Sequence, residues 1–316
     1  MEIELKVKRF DPEDAKNTPY FKGYKFDIEE SATVLDSLIK IREEIDGTLT
    51  FRCSCRSAIC GSCAMVINGQ AGLACNTKLL DLTSKSSNEV LIEPLNNLPI
   101  IKDLVADFKP FWNKIDATNP WLQPNGTPPK QEYMASNEAM LNLANVMACI
   151  MCGACVSDCT VLNVDSNFLG PAALAKSYRF IADPRDDADK SRLSEMNESG
   201  GVWDCTRCMQ CVEVCPKGVD PMGKIMETRE KIMEAGMRNT FGAKHATAVS
   251  NHIEHSGRID EFRLPLQSKG IFNFKEIIKL MLPGLRFALK KRAPSPFHFK
   301  NPNQTFVKKL FKKVEK

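Results

Sequence analysis

Apolar and polar residues alternate at the start of the chain. Ile3, Leu5 and Val7 interleave with Glu4, Lys6 and Lys8, and Tyr24, Phe26 and Ile28 repeat the pattern after Gly23, which reads as a turn. A period of two is that of half-buried strands, so the chain is expected to open with a hairpin. From Ser31, read as an N-cap, Val34, Leu35, Leu38, Ile39, Arg42 and Ile45 follow helical spacing until Gly47 ends the run. "AMVINGQAGLAC" predicts a second hairpin around Asn68-Gly69, and "VLIEPL" over 90–95 a further strand. These elements make a small mixed sheet packed on one helix. The Pro-, Gly- and Asn-rich stretch 119–130 is a boundary candidate. Beyond it the strand pattern fades, and 132–148, 171–182 and 221–236 have helix-compatible composition. The expected class is α+β, with a sheet domain over 1–115, a helical domain over 131–240 and an extension over 241–316.

Composition sharpens this picture where it concerns charge and cysteine. The net charge of +4 conceals an asymmetric distribution: 269–316 carry 13 Lys/Arg against Glu276 and Glu315, a local +11, which leaves −7 on the other 268 residues. A basic tail on an acidic body points to an anionic lipid surface or an acidic partner. Nucleic acid is the weaker reading, because no nucleic-acid motif accompanies the basic residues. The first ten residues have no apolar stretch resembling an export signal, and no apolar run approaches the ~20 residues needed to cross a bilayer.

Thirteen cysteines are an odd number in a chain far larger than the small domains that depend on disulfides, and twelve of them fall into three tight groups. Metal thiolates account for such spacing. In the first group Cys55, Cys60 and Cys63 have C-x4-C-x2-C spacing, with a distant fourth thiol at Cys75, the plant-type ferredoxin arrangement for a [2Fe–2S] cluster. A zinc site also accepts four thiolates, but its paired C-x2-C knuckles are absent here. Cys53, two residues upstream of Cys55, reads as a bystander, with a role as alternative ligand as the competing reading.

The other two groups, Cys149, Cys152, Cys155, Cys159 and Cys205, Cys208, Cys211, Cys215, each read C-x2-C-x2-C-x3-C, and Pro216 follows the last. In two-cluster bacterial ferredoxins with this pattern, the fourth cysteine of each run ligates the other cluster. The expected sets are therefore crossed. One [4Fe–4S] cluster falls to Cys149, Cys152, Cys155 and Cys215, and the other to Cys159, Cys205, Cys208 and Cys211. Three clusters in one chain imply an electron wire rather than proton or acyl chemistry, and no activated nucleophile, phosphate loop or carboxylate pair stands out. His252 and His255 read as exposed helix residues.

On these motifs, together with "IIKDLVAD", "FLGPAALAKSYRFIADPRD" and "CVEVCPKGVDP", the chain resembles the iron–sulfur subunits of succinate dehydrogenase and fumarate reductase over about 1–235. The resemblance implies an N-terminal β-grasp, plant-type ferredoxin domain that meets an FAD-containing catalytic subunit. It also implies an all-α, bacterial-ferredoxin-like domain that meets a membrane-associated subunit handling quinone. Familiar members lack a cysteine at the position of Cys208 and hold a [3Fe–4S] centre there; the thiol of Cys208 predicts a [4Fe–4S] cluster instead. They often carry a Trp and a His where this chain has Val164 and Thr206, so their quinone pocket is not expected at this subunit. The combination is similar to a divergent branch, typified by methylmenaquinol:fumarate reductase. The membrane-associated subunit of that branch is cysteine-rich and resembles heterodisulfide reductase, and quinone contact through it would be indirect. The branch implies a peripheral complex of the cell membrane, on the periplasmic face if exported with its partner or on the cytoplasmic face otherwise. Two other readings stay open at this level: the iron–sulfur subunit of another flavin dehydrogenase or heterodisulfide-reductase-like complex, and an iron–sulfur redox sensor. Within the tail, 271–290 mixes bulky apolar residues with lysines, expected to break at Pro283-Gly284 and suited to a membrane surface or to a partner subunit.

Overall fold

The computed structural model describes residues 2–14, 18–83, 88–126, 129–270, 273–295 and 300–314. Contacts divide the chain into two units, Met1–Thr228 and Arg229–Lys316.

In the first unit, strands β1 (Glu2–Arg9) and β2 (Tyr20–Asp27) pair antiparallel, with Ile3 opposite Phe26 and Leu5 opposite Tyr24. Gly23 is not a turn: it sits inside β2 opposite Lys6, where the Glu4 carboxylate occupies the space a Cβ would need. The ladder overrides the local glycine signal, and the chain reverses between Arg9 and Tyr20. Helix α1 (Val34–Lys40) follows and continues as a π-helical turn over Ile41–Ile45. Its N-cap is Thr33 rather than Ser31. The Thr33 hydroxyl accepts from Asp36 N–H and the Asp36 carboxylate accepts from Thr33 N–H, a reciprocal box that Ser31 has no partner to form. Strands β3 (Ala64–Ile67) and β4 (Gln70–Leu73) form the hairpin on Asn68-Gly69, both at positive φ, as a two-residue turn that suits the strand twist. After α2 (Leu79–Leu82), strand β5 (Glu89–Glu93) runs parallel to β1 and antiparallel to β3, giving the order β2-β1-β5-β3-β4. Leu35, Leu38 and Ile41 of the helix are fully buried against Leu5, Val90 and Ile92 of this sheet, each such side chain contributing about 1.5–3 kcal/mol of transfer free energy.

A short hairpin, β6 (Ile100–Lys102) with β7 (Val105–Ala106), and helix α3 (Lys109–Asp116) lead to the helical part: α4 (Asn137–Met147), α5 (Ala154–Ser157), α6 (Pro171–Ile181), α7 (Asp189–Met196), α8 (Gln210–Glu213) and α9 (Pro221–Glu234). One hydrophobic core is continuous from the sheet into Ala154, Val156, Ala172, Ala173 and Val214. The described part of 119–130 is not a free linker. The buried Arg192 guanidinium spans Asp186 (3.1 and 3.0 Å) and the carbonyls of Thr118, Asn119 and Trp121 (3.0, 2.8 and 2.8 Å), and the N–H groups of Gln123 and Asn125 donate to Asp186 and Asp187. Thr127 and Pro128 lie outside the described residues.

The second unit contains α10 (Phe241–Ser256), α11 (Arg263–Lys269), α12 (Phe274–Leu289) and α13 (Gln304–Val314), with α11 and α13 packed on α10. His252 is buried, not exposed, and its Nδ1 accepts from Asp260 N–H at 3.3 Å; His255 is exposed. Helix α12 continues through Pro283-Gly284 rather than breaking there. Ile271 and Phe272 of the predicted segment lie outside the described residues.

Candidate iron–sulfur centres

The loop that carries Cys55, Cys60 and Cys63 hangs from a buried ion network. Arg9 donates to Asp103 (2.8 Å), Asp46 (2.8 Å), Tyr24 (2.6 Å) and Thr48 (2.9 Å), while Asp103 also accepts from Thr50 N–H at 2.9 Å. This fixes the stem from which the cysteine loop departs. Within the loop Arg56, Ala58 and Gly61 take positive φ, and backbone N–H groups turn inward as a result. Cys55 Sγ accepts from the N–H groups of Ser57, Ile59 and Cys60 at 3.4, 3.3 and 3.3 Å, Cys75 Sγ from Ala58 at 3.3 Å, and Cys63 Sγ from Cys75 at 3.5 Å. The cysteine-to-cysteine contacts Cys60 N–H to Cys55 Sγ and Cys75 N–H to Cys63 Sγ, with the Cys60 thiol in hydrogen-bond reach of the Cys55 side chain, bring the four residues of the first predicted set together. The Ser62 hydroxyl, and after it the backbone N–H groups of Cys55 and Ser62, hold the exposed Cys60 thiol down to about 6, whereas burial pushes Cys63 up to about 12. Cys53 is half-buried and packs against the sheet core.

Two further cavities lie in the helical part. One is lined by Cys149, Cys152, Cys155 and Cys215 and otherwise almost wholly by apolar side chains. The other is lined by Cys159, Cys205, Cys208 and Cys211 among apolar neighbours that include Phe168 and Met222. No cysteine is shared between them, so the chain brings the thiols together in the crossed sets that the spacing predicts. Burial raises the thiols of Cys149, Cys152, Cys155, Cys159 and Cys211, the last to about 12. Cys208 is the exception. It is exposed, and although partial burial pushes it upward, hydrogen bonds from the Thr160 hydroxyl (3.5 Å) and from the N–H of Gln210 hold it below the ordinary thiol value. Thr206 lines this cavity, while Val164 is 87% exposed.

The two motifs share a backbone form. Met151 and Gly153 flank Cys152 at φ 55 and 82°, and Arg207 and Met209 flank Cys208 at φ 59 and 70°; a single-turn helix, α5 or α8, starts immediately afterwards in each. Three non-glycine residues in the left-handed region, each disfavoured by about 1–2 kcal/mol, show that the surrounding structure imposes this loop shape. Cys208 therefore occupies the same local setting as Cys152.

Sets of four thiols with backbone N–H groups directed at sulfur, as on Cys55, Cys63 and Cys75 and on Cys215, which accepts from Val219 N–H at 3.4 Å, fit the donor chemistry of iron–sulfur clusters.

Sequence reasoning missed the residues that join the centres. Gly61, between Cys60 and Ser62, lies so close to the next motif that a Cβ on it would sit 2.8 Å from Cys152 Cβ. Asn97 Nδ2 donates to the carbonyls of Val156, Ser157 and Cys159 at 2.9, 3.0 and 3.1 Å, and Ala71 N–H to Asp158 at 3.0 Å. The sheet domain is thus bonded to the Cys149–Cys159 loop, and no periodicity signals either contact.

Comparison with known proteins follows the same division. Residues 4–113 match the family described as 2Fe-2S iron-sulfur cluster binding domain, and 145–219 the family described as 4Fe-4S dicluster domain. The chain is 40% identical over 225 residues to the fumarate reductase iron-sulfur subunit of Mycobacterium tuberculosis (strain CDC 1551 / Oshkosh), covering 71% of this chain and 90% of that protein. It is 38% identical over 233 residues to the mitochondrial succinate dehydrogenase [ubiquinone] iron-sulfur subunit 1 of Oryza sativa subsp. japonica, covering 72% and 82%. A chain of the Mycobacterium smegmatis Sdh1 complex in the apo form shares the fold, with a TM-score of 0.66 at 24% identity over 75% of this chain and 98% of that one. With both cluster domains in order and this identity across nearly the whole of a relative, the chain belongs to the family of fumarate reductase and succinate dehydrogenase iron–sulfur subunits.

Proposed function

We propose that the chain is the non-catalytic electron-transfer subunit of a quinol:fumarate or succinate:quinone oxidoreductase. In this reading Cys55, Cys60, Cys63 and Cys75 hold a [2Fe–2S] cluster, Cys149, Cys152, Cys155 and Cys215 a [4Fe–4S] cluster, and Cys159, Cys205, Cys208 and Cys211 a second [4Fe–4S] cluster. When bound, the clusters supply one-electron relay chemistry between the FAD of a catalytic subunit and (methyl)menaquinol at a cysteine-rich, heterodisulfide-reductase-like subunit at the membrane. The domain limits 1–115, 131–240 and 241–316 belong to the same reading.

The observation that carries the proposal is the pair of cavities, each lined by four cysteines drawn from both motifs, with Cys208 in the backbone setting of Cys152. The chain's own residues have three tasks in it. N–H groups directed at sulfur stabilise the more negative, reduced state. In the two helical sets, apolar linings limit water at the more buried thiolates, such as Cys159 and Cys211. The close approach of Gly61 to Cys152 sets two cysteine loops in van der Waals contact, so that the gap between centres is spanned by protein rather than solvent.

The test is a reconstitution of quinol-dependent fumarate reduction from the flavoprotein, this chain and the membrane-associated subunit, with each omitted in turn. The proposal expects no fumarate turnover by this chain alone, and loss of the quinol-linked but not the artificial-donor activity when it is omitted. Fumarate turnover by the isolated chain, or full quinol-linked activity without it, contradicts the proposal.

A further inference from the structure

Helices α12 and α13 contain no buried residue. On α12, Phe274, Ile278, Met281, Leu282, Leu285 and Leu289 are all more than half exposed. Their spacing of 0, 4, 7, 8, 11 and 15 places them on one stripe about 100° wide. Lys275, Lys279, Arg286 and Lys290 fall together along one flank of that stripe. On α13 the spacing of Phe306, Leu310 and Val314, 63%, 47% and 86% exposed, gives one face, and Lys308, Lys309, Lys312 and Lys313 give the other. Glu276 is the one acidic residue on the two helices, and its carboxylate is already met by Lys269 and Lys279.

We infer that α12 and α13 form an in-plane anchor for an anionic lipid surface, carried by this chain itself. A 16-residue helix is about 24 Å long, too short for the ~30 Å hydrocarbon core, and among the described residues no helix is long and apolar enough to cross a membrane. An apolar stripe bordered by basic side chains instead suits a helix lying in the headgroup region. There the apolar face enters the acyl boundary, and lysine stems extend along it with their ammonium groups at the phosphates. The charge distribution favours an anionic lipid surface, because eight Lys/Arg, with Lys290 at the C-cap of α12 among them, border the apolar stripe of α12 or form the opposite face of α13 against a single, already paired acidic residue, an excess of positive charge that matches a layer of anionic headgroups. The inference does not depend on how the cysteines are assigned to clusters.

The experiment is sedimentation of the anaerobically purified full chain with phosphatidylcholine vesicles, with or without about one-third phosphatidylglycerol. Two variants are compared, one with Lys308, Lys309, Lys312 and Lys313 changed to Gln, the other with Leu282→Ser and Leu285→Ser. Because these side chains are exposed, both variants are expected to keep the wild-type cluster absorption and the wild-type helical circular dichroism, which together verify folding of both units. The expected result is partition onto the anionic vesicles only, weakened by salt. At roughly fivefold per cationic side chain, the quadruple Lys variant should lose a hundredfold or more, and the double Leu variant should lose partition at every salt concentration. No partition of the wild type, or partition that both variants retain, overturns the inference. Variants that bind vesicles like the wild type yet fail to assemble with the partner subunits identify the surface as a protein contact and overturn it equally.

Discussion

Replacing Gly61 by alanine probes the join between the first two cysteine loops. The glycine is at φ +74°, and the added methyl would sit 2.8 Å from Cys152 Cβ, 3.0 Å from Cys152 Cα and 3.2 Å from the Ile150 carbonyl oxygen. These are backbone and near-backbone atoms that cannot swing aside, so the loops must separate by about 0.6 Å to restore ordinary contact near 3.4 Å. The left-handed conformation costs alanine about 1 kcal/mol and overpacking of this kind about 1–3 kcal/mol, which together give about 2–4 kcal/mol. Gly69→Ala is the internal control. Gly69 has φ +83° with nothing within 4 Å of its Cβ position, so that variant bears the backbone term alone. Heating each protein anaerobically while following the visible cluster absorption gives the comparison. Gly61→Ala should lose its absorption at a temperature lower than Gly69→Ala by roughly 2–10 °C, the range corresponding to the additional 1–3 kcal/mol. Equal midpoints would show that the two loops are not in contact.

Arg192→Met should destabilise the protein by about 3–5 kcal/mol, because it leaves the buried Asp186 carboxylate and three carbonyls without their donor, and a urea unfolding curve measures the loss. Asp183, held below the usual carboxylate range by its hydrogen bonds from Arg185, contributes stability that is complete above the unfolded value near pH ~3.9 and lost as pH falls further. Asp183→Asn should therefore flatten the acid side of the stability profile below about pH 4 without changing its shape near neutrality. In cluster-free protein, Cys60 should be alkylated by iodoacetamide at pH 7 well before Cys63, because the first thiol is held at about 6 and the second is pushed up to about 12. Peptide mass spectrometry reads the order, and equal labelling contradicts it.

Much of the chemistry was legible because cysteine spacing is a local signal with a demanding geometry. The alternation of Ile3, Leu5 and Val7 and the Asn68-Gly69 turn were equally direct, since each records which face of a strand is buried or which backbone conformation a turn needs. The errors share a cause, which is that tertiary contacts overrode local signals. Gly23 was absorbed into a strand by the ladder to Lys6, and Thr33 displaced Ser31 because Asp36 completes its cap. Composition marks 119–130 as a boundary candidate and does not show that Arg192, more than seventy positions away, fastens the carbonyls of Asn119 and Trp121. His252 carries no sequence mark of its burial. Gly61 is legible as a residue of a tightly wrapped cysteine loop, but its part, and that of Asn97, in joining the sheet domain to the helical cysteine loop is not, because that role exists only when distant segments meet.

Whether Cys208 completes a second four-thiolate set is decided by low-temperature EPR of anaerobically purified protein, wild type beside Cys208→Ser. The oxidised wild type should show no [3Fe–4S] signal, and the variant should gain one because three thiolates remain. A stoichiometric [3Fe–4S] signal in the intact wild type, unchanged by the substitution, would contradict this and make Cys208 a bystander.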